Sequence, residues 1–224
     1  MKKVLVELNE KEFEMITAFR QIFMNENEVI EVDYIDEDNY KEYIGKTVKV
    51  KGDVVLDALG LTKLPINFTE VGGSFYCYHN KLTSLKGVPK EVGWDFLCYY
   101  NKLTTLAGAP EKVGGYFDCG YNKLTSLEGA PTEVGKGFYC WKNQLTDLAG
   151  APEKVGGSFD CTYNKLTSLV GAPKYVGGDF YCWDNQLTSL VGSPKEVGGD
   201  FNCSYNPLKS TKGKPEYIGG RFLK

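Results

Sequence analysis

The chain has 224 residues, 42% of them hydrophobic and 25% charged, with a formal net charge of −3. That balance fits one folded domain, or one with a small cap, and excludes a disordered chain. It supplies no global basic field to draw nucleic acid. No run approaches the ~20 apolar residues of a membrane-spanning helix, and the apolar stretch before Glu7 is too short for a signal peptide.

In chain order, Lys3–Leu8 reads as a strand. Asn9 and Glu12 have the spacing of a helix-capping residue and its reciprocal acid. Phe13, Ile16, Phe19, Ile22 and Phe23 then line one face of a helix to about Met24. The segment 26–38 comes next, with Glu26, Glu28, Glu31, Asp33, Asp36, Glu37, Asp38 and no basic residue. Residues 1–53 hold 13 acids and 8 bases, net −5, and the remainder 16 acids and 18 bases, net +2. Residues 1–53 are expected to be an acidic N-terminal capping domain, a small α+β unit covering the open core of the chain beyond residue 53.

From residue 54 onward a repeat dominates. The seven cysteines, Cys77, Cys98, Cys119, Cys140, Cys161, Cys182 and Cys203, are each 21 residues apart. A phenylalanine precedes each by two residues and an asparagine follows each by three. The unit F-x-C-x-x-N-x-L-T-x-L-x-G-x-P-x-x-V-G-G-x fills residues 75–221 seven times, after a degenerate copy at 54–74 and before a strand stub at 222–224. F-x-C reads as a short strand with Phe and Cys inward. The asparagine is placed to bond backbone groups of neighbouring coils. Proline enforces an extended segment, and Val-Gly-Gly a tight entry to the next strand. One unit cannot bury its apolar side alone, whereas stacked units share a core. At ~4.8 Å per strand, seven units span roughly 30 Å.

This pattern resembles the leucine-rich-repeat family, over about residues 54–224. Phe and Cys take two of its usual leucine sites, and the short unit with L-T-S-L and a proline is similar to the subclass of bacterial effectors and phage-encoded arrays. The resemblance implies an α/β-type curved solenoid with parallel concave strands. The ligase domain that often follows the repeats in those effectors has no counterpart in these residues, so that activity is not expected.

Seven is an odd number of cysteines, and no C-x-x-C spacing occurs, so a buried ladder of thiols in a reducing cytoplasm is expected rather than disulfides or structural zinc. Information about partners must then sit in the four outward positions of each strand segment. Twelve of these are aromatic: Tyr76, Tyr78, Tyr99, Tyr100, Tyr116, Tyr121, Tyr139, Trp141, Tyr163, Tyr181, Trp183 and Tyr205. Six are acidic: Asp95, Asp118, Asp160, Asp179, Asp184 and Asp200, and Lys142 is the one basic residue. Tyrosine and tryptophan dominate binding hot spots, and acids among them favour a basic protein partner over a nucleic acid. Aromatic residues are also good strand formers, and stacked ladders would explain them without a ligand. A 42-residue alternation is visible as well, D-x-G/T-Y at 118 and 160 against Y-x-W-K/D at 139 and 181, as duplication of a coil pair would leave.

No catalytic set emerges. His79, the only histidine, lies on the tyrosine-rich face near Ser74 and Asp95, but no G-x-S-x-G nucleophile turn occurs. The Gly-Gly pairs lack a phosphate-loop context, and the aspartates are too dispersed for calcium. The expectation is a non-enzymatic, cytoplasmic protein-binding scaffold without cofactor or metal, and with no direct contact to nucleic acid or membrane. Its alternatives are a phage-type inhibitor of a nucleic-acid enzyme or defence nuclease, and a carbohydrate-binding module. The stub Arg221–Lys224 offers an edge for a homodimer.

Overall fold

The computed structural model describes residues 29–224, so the strand and helix expected within residues 3–24 lie outside it. The described chain is a parallel β-solenoid of about nine turns with two sheets, one of ten strands and one of nine. Strands β1 (Val29–Val32) and β2 (Thr47–Val50) begin the first sheet, β3 (Val54–Val55) begins the second, β4 (Asn67–Val71) returns to the first, and β5 (Phe75–Tyr76) to the second. From there each coil adds one two-residue strand to each sheet, as in Glu91–Val92 and Phe96–Leu97. Pairing is parallel and in register: Phe96 faces Phe117 as Val92 faces Val113.

Among the described residues the expected α/β character is not shown. Among the described residues the one helical piece is the 3-10 turn Tyr40–Tyr43. The arm that would carry a helix contains a glycine at φ between +86° and +102° in each full coil up to Gly192, as at Gly87 and Gly129, followed by proline. That sequence cannot hold a helix. It ends in the x-V strand, which stacks into the first sheet. Residues 29–53 join the same stack, since β1 pairs with β2, β2 pairs with β4, and Ile35 bridges Val54 in the second sheet.

Each full coil from Phe75 to Val197 buries one Phe, one Cys, two Leu and one Val. The Phe rings stack from Phe75 to Phe222 at centroid spacings of 5.1–5.8 Å. Phe68 meets Phe75 edge-on at the start of this ladder, and the Lys214 ammonium lies 4.4 Å from the Phe222 ring at its end. The seven cysteines are free and buried, as their spacing predicts, and burial pushes their thiols up.

The asparagines tie coil to coil. Asn101 Oδ1 accepts the Leu82 N–H at 2.9 Å, while its Nδ2 donates to the carbonyls of Cys77 (2.9 Å) and Cys98 (3.1 Å). The other six ladder asparagines repeat this set. The residue before each adopts φ between +49° and +56°, a left-handed turn held there by that network in spite of a non-glycine side chain. Opposite this turn, coils approach so closely that a Cβ on Gly93 or Gly135 would overlap the preceding coil's glycine carbonyl.

Candidate functional site

The outer face of the second sheet carries all the outward positions singled out above. They form four columns running along the solenoid.

In the column before Phe, the side chains cap the next coil. Asp95 accepts the Tyr116 N–H at 2.8 Å, Asp179 the Asp200 N–H at 2.6 Å, and Asp200 the Arg221 N–H at 2.7 Å. Asp53 does the same for Ser74 at 2.7 Å, and Ser158 Oγ for Asp179 at 3.0 Å. Asp200 is also ion-paired to Arg221 at 2.6 Å, which holds its carboxyl below the usual range. These capping roles were missed in the sequence, although Asp or Ser recurring at one repeat position was the available signal.

The column between Phe and Cys holds Tyr76, Asp118, Tyr139, Asp160 and Tyr181. Asp118 accepts the Gly120 N–H at 2.8 Å. Burial pushes its carboxyl up to about 7, against the pull of that bond. Asp160 accepts the Thr162 N–H at 2.9 Å and is likewise raised by burial. Tyr181 donates to Asp179 Oδ2 at 2.7 Å, and that bond, with burial, pushes its hydroxyl up to about 12.

The remaining two columns are aromatic ladders. Tyr78 stacks on Tyr99 at 4.6 Å and 4°. His79, Tyr100 and Tyr121 stack in series at 4.5 and 4.1 Å. Lys142 continues that series, its ammonium 5.2 Å from the Tyr121 ring and 5.5 Å from Tyr163. Trp183 meets Tyr163 edge-on at 4.5 Å, and across the first two columns Tyr116 stacks on Tyr139 at 5.8 Å. Trp141 lies over Gly120, where any Cβ would overlap its indole. At its first occurrence the 42-residue alternation has a packing reason beyond duplication: Trp141 covers the small Gly120 of the coil before.

Several rings keep exposed surface: Tyr121 45%, Tyr163 41% and Tyr205 81%. Asp184 is exposed beside them. His79 packs among tyrosines, and Ser74 Oγ accepts the Asp95 N–H at 3.3 Å, so this trio is not arranged as a catalytic triad. Among the described residues no three His, Cys, Asp or Glu side chains gather in a metal-binding group. No family model, curated protein or solved structure matches the chain.

Proposed function

We propose that this chain is a non-enzymatic protein-binding scaffold, a relative of the leucine-rich repeats of bacterial and phage type, whose partner docks across the outer face of the second sheet. The carrying observation is an aromatic surface on an in-register stack: Tyr121, packed on Tyr100, and Tyr163, packed on Trp183, retain exposed ring surface, and Tyr205 extends it at the end of the row. Large rings already ordered lose little freedom on binding. The aspartates along one edge cap backbone donors, yet Asp95 and Asp179 remain acceptors beside this surface and favour a partner with a basic patch. In this reading the chain works in a reducing cytoplasm, where seven unpaired thiols persist.

The test is capture from nuclease-treated lysate by wild type and by a Tyr121→Ala, Tyr163→Ala, Tyr205→Ala variant. These positions are exposed, so the core survives the change. A protein held by wild type, lost by the variant and released by salt supports the reading. Equal capture by both refutes it.

A further inference from the structure

The residue after each of the first six ladder asparagines is exposed: Lys81, Lys102, Lys123, Gln144, Lys165 and Gln186. Where Gln144 interrupts the lysines, the same coil supplies exposed Lys142 two residues earlier. Five consecutive coils therefore each present one outward cation along the edge where the chain leaves the second sheet. The aspartates Asp95, Asp179 and Asp200 line the opposite edge.

Charge is handled differently on the first sheet. There the outward rows mix signs, and Lys49–Glu70, Lys90–Glu111, Lys112–Glu133 and Lys174–Glu153 form ion pairs between successive coils. Among the described residues none of the five stripe lysines is ion-paired. Their exposed neighbours two residues after Lys81, Lys102, Lys123 and Lys165 are threonines, which add further donors. Lys81, Lys102 and Lys123 occupy the same position of three consecutive coils, and like charges in register at the ~4.8 Å coil spacing repel one another. A periodic anion laid along the stripe removes that repulsion.

We propose that this stripe is a binding track for the phosphate backbone of single-stranded nucleic acid. One cation per coil suits a polymer with one anion per unit. The exposed edges of Tyr121 and Tyr163, flanking Lys142, give unpaired bases a contact that a duplex leaves unused. Recognition is of the backbone and is independent of sequence. The net charge of −3 describes the whole chain, and this edge departs from it locally. The lysine track borders the aromatic docking face and shares Tyr121 and Tyr163 with it, but its phosphate contacts come from lysines that the docking proposal does not use, so the two are tested by different variants.

The test is fluorescence anisotropy with a labelled thymidine 30-mer. Five displaced counterion sites predict a slope of log K against log salt of about −3.5, an affinity loss of about 100-fold from 50 to 200 mM salt. The variant Lys81→Gln, Lys102→Gln, Lys123→Gln, Lys165→Gln uses the residue already present at 144 and 186, and is expected to abolish most of the slope. The control Lys86→Gln, Lys154→Gln, Lys195→Gln, Lys209→Gln removes the same charge elsewhere and is expected to bind as wild type does. Three results overturn the proposal: no binding by wild type at 50 mM salt, equal loss in both variants, or polyglutamate displacing the 30-mer at equal charge concentration, which would assign the stripe to an acidic protein.

Discussion

The outer faces of the two sheets share one 21-residue step and one in-register stack, yet they are stabilised by different means. At the margin of the first sheet the backbones of successive coils nearly touch at glycine, and the exposed charges above are paired or alternate in sign. On the second sheet side chains do the joining: aspartates cap the next coil's N–H, rings stack, and Trp141 roofs Gly120. The difference shows that in a parallel in-register stack every column meets its own copy, so each column needs a residue able to tolerate or bond itself. Glycine tolerates contact, alternating charge cancels, tyrosine stacks, and aspartate finds a backbone donor.

The largest expected effect comes from placing the same methyl group on either side. Gly135→Ala drives its Cβ onto the Gly114 carbonyl, a backbone atom with no room to retreat. A loss of about 3 kcal/mol or more is expected from the urea midpoint. Gly120→Ala meets only the Trp141 side chain, which can swing away. About 1–2 kcal/mol is expected there, together with a change in tryptophan fluorescence absent from the first variant. Equal losses would erase the distinction between a backbone-limited and a side-chain-limited face.

The contrast also explains which features were legible in the sequence. Phe75, Cys77, Leu82, Leu85 and Val92 announced the core because their spacing is local and repeated. The asparagine ladder followed from one polar residue at a fixed place among apolar ones. The second half of each coil was not legible as a sheet, because a two-residue x-V strand followed by Gly-Gly has the composition of a turn, and its pairing partners lie 21 residues away. The same separation hid Trp141 over Gly120, since no local pattern links residues in different coils. Asp95 and Asp179 looked like free acids for a partner, and only the register shows each accepting the next coil's N–H. The lysine after each asparagine was absorbed into the framework motif, although it is one of the few framework positions that faces outward.

A middle-sized effect tests a buried acid of the second sheet. The Asp118 carboxyl is raised by burial from its ordinary 3.8 to about 7 in the folded chain. A raised acid binds its proton more tightly when folded, so folding gains stability as pH falls from about 7 toward 4, and the full penalty of the buried charge stands above 7. Asp118→Asn keeps an acceptor for the Gly120 N–H and removes the charge. It is expected to be more stable than wild type by about 2 kcal/mol at pH 8, with the advantage disappearing by about pH 5. Urea midpoints across that range measure it. An advantage that does not change with pH would mean that burial of charge is not what distinguishes this column.

The smallest effect belongs to the first sheet's surface charge. Lys112 and Glu133 lie 3.3 Å apart in adjacent coils with more than half of each side chain exposed, 51% and 67%. Solvent screens such a pair, and removing it by Lys112→Gln is expected to cost within about 0.5 kcal/mol. Lys112→Glu goes further, because position 112 is in register between Glu91 and Glu133 and three acids would then stack in a row. A loss of up to about 1 kcal/mol is expected at low salt, falling toward zero at 1 M salt as the Debye length shrinks to about 3 Å. Thermal midpoints at two salt concentrations separate these cases. If the reversal costs as much as Gly135→Ala, and salt does not relieve it, then charge alternation and not backbone approach holds the first sheet together. If it costs nothing at low salt, the alternation there has no energetic role, and the unpaired lysines on the other edge lose their contrast.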